Sequence, residues 1–539
     1  MADRSPPKRS IAGIAGIVAV ATALSKASGL LREVAIAAAF GVGPVVNAYA
    51  YAYIIPGFLL ILLGGINGPF HSALVSVLSR RDRAQAAPLV ESVTTLVSLL
   101  LLVVVVVLIA FADAFIDLVA PGLSADPERA QVRAIAVQQL RIMAPMALLA
   151  GLIGIGFGTL NAANRYWLPS ISPLFSNLAI GLGLGGLAFV LGEQVAEPEY
   201  ARLGGMVLAG GTLAGAFWQW LMQVIAQWRA GLGKLRPRLN WRHSGVREVL
   251  RIMGPAALSA GMLQINVYTD MFFASYISHA AAAMKYANLI VLTPLGILSN
   301  AILVPLLPVF SRLAAPENWG ELKTRIRQGL LLTALTMLPL SAVFVVLAEP
   351  VVGIVYQRYA FDAQALAIVA PVMAAYGLGM FFYLGRDVLV RVFYALGDGT
   401  TPFRISAANI GVNAALDYGL VQVLETPGLV LATLGVNLIS MGLLLAVLHR
   451  KIGGLPLLAW GRLLLALAGS ALAAGLVGGA VRWGWASQLG SDGLGLQLVQ
   501  LATGSAAILA VFVVLAKRLG LPELAQLEAR LRQRLSRGH

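Results

Sequence analysis

A chain of 539 residues that is 59% hydrophobic and only 12% charged lacks the polar surface that a water-soluble fold of this size requires, so lipid must be its main solvent. Cysteine is absent, which excludes disulfides, thiolate metal sites and cysteine nucleophiles, and His71, His243, His279, His449 and His539 show no ligand spacing, so no metal site is expected. The net charge of +15 sits in short segments between apolar runs, the placement expected of loops on one face of a membrane and not of a nucleic-acid-binding surface.

The first ten residues carry Arg4, Lys8 and Arg9 ahead of a long apolar stretch, and no small-residue cleavage site leads into a soluble domain, so this stretch reads as a first span rather than a cleaved leader. Runs long enough to cross about 30 Å of hydrocarbon then recur near 12–39, 47–78, 88–117, 135–160, 169–192, 204–228, 249–275, 281–310, 329–350, 364–396, 402–422, 428–449, 459–482 and 494–516. The expected fold is therefore an all-α polytopic membrane protein with about fourteen transmembrane helices, which places both termini on one side. Counting Lys and Arg by loop tests that order, because one missed span would invert every later loop. The two termini and the even-to-odd loops hold about 27 cations against about 5 in the opposite loops, so both termini are expected in the cytoplasm and the protein in the cytoplasmic, or inner, membrane. The segment 519–539, with Glu523, Glu528, Arg530, Arg532 and Arg534, reads as a basic amphipathic cytoplasmic tail.

Two stretches look like copies. Gly158-Thr159-Leu160-Asn161 with Arg165, Pro169 and Asn177 resembles Tyr394-Ala395-Leu396-Gly397-Asp398 with Pro402, Asn409 and Asn413; Pro56, Asn67 and Pro69 likewise match Pro294, Asn300 and Pro305. An offset of about six spans preserves topology, so two six-helix lobes related by a parallel repeat are expected, at 1–230 and 231–452, followed by two extra helices over 453–518. A cavity between the lobes follows from that arrangement.

Charges and helix breakers inside spans mark functional positions, since each costs a few kcal/mol in lipid unless it faces a wet cavity or a partner. Lys26 and Arg32 lie deep in the first span; Arg32 has a neighbouring carboxylate in Glu33, but adjacent residues do not face each other on a helix. Lys285 stands near the start of the eighth span. Arg141 and Asp270 are candidates to pair with each other or to face the lobe interface, and Arg386, with Asp387 and Arg391 nearby, calls for a carboxylate from another helix. Pro56, Gly57, Gly64, Gly65, Gly68 and Pro69 should bend the second span, with Pro294 doing the same in the other lobe. No nucleophile elbow, phosphate-binding loop or paired carboxylate suggests an enzyme, so neither catalytic residues nor a cofactor is expected beyond a coupling ion of unknown identity.

Ser25-Lys26-x-x-Gly29-x-x-Arg32-Glu33, Phe40-Gly41-x-Gly43, Asn161 with Arg165 and Pro169, Arg391-x-Phe393-Tyr394-Ala395, and Asp398-x-x-Thr401-Pro402 together resemble the MurJ/MviN lipid II flippases of the MOP exporter superfamily, over nearly the whole chain. The resemblance implies a central cationic cavity for the diphosphate of an undecaprenyl-linked peptidoglycan precursor, two C-terminal helices forming a groove for its lipid tail, and alternating access from the cytoplasmic to the periplasmic leaflet. It also implies that the family's two first-helix cavity arginines fall on Lys26 and Arg32. A second-helix cavity carboxylate falls on Asn47, and two further cavity arginines fall on Leu62 and Leu289; Lys285, one turn before Leu289, stands to supply the missing cation, so Lys26, Arg32, Asn47 and Lys285 are the expected substrate-binding residues. The expected partners are this glycopeptide lipid, membrane lipids and the cell-wall synthesis machinery. Rival expectations are a flippase for another undecaprenyl-linked polysaccharide, a multidrug antiporter of the same superfamily, and a non-transporting scaffold for cell-wall enzymes.

Overall fold

The computed structural model describes residues 11–65, 69–80, 83–126, 129–241, 244–489 and 493–520; the N-terminal cations, Asn67, Gly68, the loop cations Arg81 and Arg242, and the tail from Leu521 onward lie outside the described residues. In chain order the helices are α1 (Ile11–Phe40), α2 (Pro44–Ala52), α3 (Ile54–Gly64), α4 (Pro69–Leu78), α5 (Arg83–Ala110), α6 (Ala112–Val119), α7 (Ala130–Met143), α8 (Met146–Ala162) and α9 (Trp167–Leu191). They continue with α10 (Ala201–Arg229), α11 (Ser244–Ala274), α12 (Ala280–Arg312), α13 (Trp319–Val346), α14 (Ala348–Tyr356), α15 (Ala363–Ala395), α16 (Thr400–Lys451), α17 (Leu457–Leu489) and α18 (Leu494–Arg518). No strand occurs among the described residues, as expected where lipid leaves every backbone group to be satisfied within its own segment.

Eight helices are long and apolar enough to cross a membrane, or up to ten if each of two bent pairs, α2 with α3 and α7 with α8, is one span. Leu99, Leu100, Leu102, Val103 and Val106 of α5 remain exposed in the folded chain, the pattern of a helix whose outer surface meets lipid rather than water. The long element α16 is two helices: Glu425 adopts non-helical angles (φ 50°, ψ −130°), and beyond it the chain doubles back. Asn409 is hydrogen-bonded to Ser440, and a Cβ on Gly428 would lie 2.5 Å from the carbonyl oxygen of Leu420, so the two halves run antiparallel, matching the expected runs 402–422 and 428–449.

The expected second span is three helices. α2 meets α3 at a 46° bend after Tyr53. Pro56 sits in the first turn of α3, where its missing N–H has no helical partner to lose, and α3 ends at Gly64 with Gly65 extended before Pro69 opens α4. The prolines of the other repeat do not behave alike: Pro294, Pro305 and Pro308 all lie inside the single helix α12. One proline removes one ladder hydrogen bond, whereas clustered glycines beside a proline also remove the side chains that would hold the helix together.

By Cα proximity the chain forms two compact units, residues 1–282 with 358–361, and residues 283–357 with 362–539. In the first unit α9 packs on α1 and α10, and α8 packs on α3, α4, α5 and α10, around a core that includes Phe70, Leu74, Leu89, Val93 and Ile155. The α8–α3 approach is so close that a Cβ on Gly154 would lie 1.8 Å from the carbonyl oxygen of Leu63. In the second unit α13 packs on α15 and α17, α15 on α16, and α18 on α14 and α17.

The repeated turn recurs in both units. Between α8 and α9 Arg165 N donates to Leu160 O at 2.9 Å around left-handed Asn164 (φ 60°); between α15 and α16 Asp398 N donates to Phe393 O at 2.9 Å around left-handed Gly397 (φ 73°). Each is the six-to-one closure of a helix C-terminus, and each is followed by a proline, Pro169 or Pro402, in the first turn of the next helix.

Candidate functional site

The charged centre of the first unit lies on α1. Arg32 donates from Nη2 and Nε to Glu33 Oε1, at 2.6 and 3.1 Å, and from Nη1 to Asn177 Oδ1 of α9 at 3.1 Å. The adjacent pair that helix geometry argued against therefore forms. The long guanidinium arm reaches round to a carboxylate whose side chain is only 6% exposed, and Asn177 holds its far side. Asn177 Nδ2 in turn donates to Ser28 Oγ at 2.8 Å, and Ser28 Oγ donates to Ser25 O. The sequence motif Ser25-x-x-Ser28-x-x-x-Arg32-Glu33 is thus the polar seam by which α1 docks on α9. Arg32 remains 29% exposed, and the outer N–H of each Nη carries no partner among the described residues. Lys26 lies about 9 Å along the axis from Arg32, is exposed, and makes no ion pair among the described residues.

The turn after α1 explains Phe40-Gly41-x-Gly43. Gly41 has φ +53° and a Cβ there would stand 2.3 Å from Ala360 O, so only glycine fits. Val42 O accepts from Asn47 Nδ2 at 2.7 Å and lies 2.7 Å from His279 Nδ1, while Asn47 Oδ1 accepts from Ala282 N at 3.1 Å. Asn47 is buried, and its amide is engaged by backbone on both sides, as a fastening between the start of α2 and that of α12. Beside the α1 seam, Tyr49 stacks on Tyr53 with ring centroids 5.3 Å apart, and its hydroxyl is 3.1 Å from Thr212 Oγ1.

The remaining expected positions divide. Arg141 does not pair with Asp270: its guanidinium reaches Asp113 of α6 at 2.6 Å, beside Arg133, which grips Asp117 with two 2.7 Å bonds. α6 lies just before α7 along the chain and offers these carboxylates at short range; Asp270 is half-buried on α11. Arg133 donating to it holds the Asp117 carboxyl below its usual range. In the second unit Lys285 is half-buried, with Nζ 5.7 Å from the ring centre of Tyr286. Arg386 finds company not in a carboxylate from another helix but in Asp387, 3.6 Å away on its own helix, and in Ser406 of α16, 3.3 Å away; Arg391 is half-buried. Asp398-x-x-Thr401 is a helix cap: Oδ1 accepts from Thr401 N at 3.0 Å, and Oδ2 accepts from Thr401 Oγ1 and from Lys451 Nζ at 2.8 and 2.5 Å. The Lys451 bond is the main cause that holds this carboxyl down to about 2.

Sequence reasoning passed over Glu33 as a buried acid, Asn177 as a fixing residue, and Asp417, which is fully buried on α16 and accepts from Asn413 Nδ2 at 2.9 Å. Its signal was present, a carboxylate inside an apolar run. It also missed Arg482 of α17, which is paired with Glu349 of α14 and donates to Val346 O at 2.8 Å.

An all-helical multi-pass membrane protein with buried charge in its first helix is the class these features define, and its fold is shared with solved membrane transporters. A solved lipid II flippase MurJ in an inward closed conformation superposes with a TM-score of 0.73 at 22% identity, covering 94% of this chain and 99% of that one. An inward-facing multidrug resistance MATE family transporter of the MOP superfamily gives 0.55 at 14% identity, over 81% of this chain and 96% of that one. The family model described as lipid II flippase MurJ matches residues 36–491. A probable lipid II flippase MurJ of Synechocystis sp. is 58% identical over 537 residues, covering 100% of both chains, and the lipid II flippase MurJ of Burkholderia cenocepacia is 30% identical over 86% of this chain and 88% of its own. The chain belongs to the MurJ lipid II flippase family.

Proposed function

We propose that this protein moves lipid II, the undecaprenyl-diphosphate-linked peptidoglycan precursor, from the cytoplasmic to the periplasmic leaflet of the cytoplasmic membrane. The observation that carries the proposal is Arg32, a guanidinium fixed within the first span by Glu33 and Asn177 and still presenting N–H groups outward. Glu33 already neutralises one side of this guanidinium, and the N–H groups left over on the other can take a phosphate, which suits a guanidinium in geometry and charge. The family name carried by a relative over the full length of the chain points to the same substrate.

The mechanism is alternating access by two six-helix lobes, 1–230 and 231–452, in a chain of about fourteen spans with both termini cytoplasmic. The diphosphate enters from the cytoplasmic side, where Arg32 and Lys26 replace its hydration and counter-ions, with Lys285 as a further cation. Asn47 acts as a positioning residue, because it fastens the start of α12 to the α1–α2 turn. The breaks around Pro56 and Pro69 supply bending points, and Pro294 offers a further one within α12. Arg141, Asp270, Arg386 and Arg391 serve as cavity or gating residues. The two C-terminal helices take the lipid tail, and the membrane potential can drive the cycle, since moving one charge through 100 mV is worth about 2.3 kcal/mol. The work is transport and not catalysis, and cell-wall synthesis enzymes are its natural neighbours.

Depletion in a cell that depends on this protein tests the assignment. Lipid-linked peptidoglycan precursor should accumulate in the inner leaflet and lysis should follow, with rescue by the wild-type chain. Normal precursor distribution after depletion refutes it, and accumulation of a different undecaprenyl-linked glycan transfers the assignment to that substrate.

A further inference from the structure

The segment that joins α10 to α11 is not a slack loop. Residues 230–241 contain no helix, yet they are strapped along α5: Lys234 N donates to Glu91 Oε1 at 3.1 Å, Arg238 N donates to Thr95 Oγ1 at 3.0 Å, and Arg238 Nε lies 3.9 Å from Glu91 Oε2. Leu232 and Gly233 are buried, and the Cβ position of Gly233 is 3.3 Å from Val90. Thr95 is about 18 Å along α5 from its first residue and stands immediately before the almost unbroken apolar run Leu96–Ala110. The strap therefore runs beside the first turns of the candidate span Ala86–Ala110, against the helix and not away from it.

What it presents there is an alternation of cations and large apolar groups. Arg229, Lys234, Arg236 and Arg238 are all exposed, with no acidic residue between 229 and 241. Among them Trp228, Leu235, Leu239 and Trp241 are exposed, the last two at 71% and 73%. Aromatic and aliphatic side chains that remain this bare beside guanidinium groups fit the membrane interface, where rings and stems lie among acyl chains and the charged heads reach phosphates.

We propose that residues 228–241 form a built binding site for anionic phospholipid headgroups, with Leu239 and Trp241 inserted at the interface and Arg229 and Arg236 holding the phosphate. Arg238 serves mainly to pin the strap, through its backbone N–H to Thr95 and its side chain to Glu91, and Lys234 pins it through its backbone N–H to Glu91. The site does not involve Arg32 or Lys26 and stands apart from transport of any particular substrate.

The native chain has no cysteine, so Leu239→Cys carrying a nitroxide reports the depth of the strap in the full-length protein in lipid nanodiscs. In discs containing phosphatidylglycerol the label should be shielded from a water-soluble nickel chelate and accessible to oxygen. In pure phosphatidylcholine, or with Arg229→Gln and Arg236→Gln together, it should move toward water. Retention of phosphatidylglycerol by the purified chain should fall about thirtyfold in the same double variant and weaken with added salt. A label in water even with phosphatidylglycerol overturns the proposal and leaves the strap as a surface for a soluble partner. Equal immersion in both lipids and in the double variant also overturns it, because the strap is then an apolar anchor without headgroup recognition.

Discussion

Asn177 offers the most discriminating perturbation, because it touches Arg32 without being a cation itself. Asn177→Ala removes the acceptor of Arg32 Nη1, 3.1 Å away, and the donor to Ser28 Oγ, 2.8 Å away. Among the described residues the guanidinium then keeps only its Glu33 bonds, and it regains rotamer freedom; re-immobilising a side chain on binding costs about 0.5–1.5 kcal/mol. Affinity for a lipid-linked diphosphate should drop about two- to tenfold on that basis. Asn177→Asp separates two accounts of the residue. If Arg32 serves the substrate, a second carboxylate beside Glu33 repels the incoming phosphate, and the Asp variant must bind more weakly than the Ala variant. If Arg32 only fastens α1 to α9, Asp should strengthen the seam and preserve binding. The assay is titration of purified protein with the lipid-linked diphosphate, read beside thermal stability in the same detergent. An Asp variant that binds as well as wild type refutes the substrate role argued for Arg32.

Other expectations follow from the same geometry. Lys285→Ala should lower flipping, measured as complementation of a depleted strain, while leaving the protein at normal abundance in the membrane; full complementation removes Lys285 from the site. Asp398 has its carboxyl held down to about 2, against an ordinary value near 3.8, so its contribution is complete at neutral pH and is lost as the pH falls from about 4 through 2. After discounting for the partly exposed Lys451, that contribution is about 1 kcal/mol, and a thermal-stability titration should show the acid loss in wild type but a smaller one in Asp398→Asn. Gly41→Ala should destabilise the α1–α2 turn by more than about 1 kcal/mol, combining a left-handed backbone with a collision at Ala360 O, and should reduce the yield of folded protein; unchanged yield and melting would contradict the close approach.

Hydropathy and loop charge carried the all-helical multi-pass class, because lipid imposes a length and a composition that a single sequence displays openly. Phe40-Gly41-x-Gly43 and Asp398-x-x-Thr401 stood out in the sequence only as carriers of the family resemblance; the left-handed turn of the one and the helix cap of the other emerge from the backbone geometry. The partners of charges were not legible. Arg32 chose its own neighbour together with Asn177, Arg141 chose Asp113, and Arg386 chose Asp387 with Ser406, each through a packing arrangement that no spacing rule encodes. Breakers were legible only in part, because the prolines of α12 lie within one helix while the Pro-Gly cluster after α2 divides its span in three. Asp417 shows the same limit from the other side, a carboxylate plain in the sequence whose full burial only the hairpin of α16 reveals.

Leaflet exchange by the purified chain in sealed vesicles bears most directly on the central role given to the first-helix cations. Wild-type protein should transfer a labelled undecaprenyl-diphosphate glycopeptide between leaflets, and Arg32→Gln and Lys26→Gln should each slow that transfer about tenfold or more while inserting normally, in line with the loss of one charge-assisted phosphate contact. Transfer at the wild-type rate in both variants would contradict it.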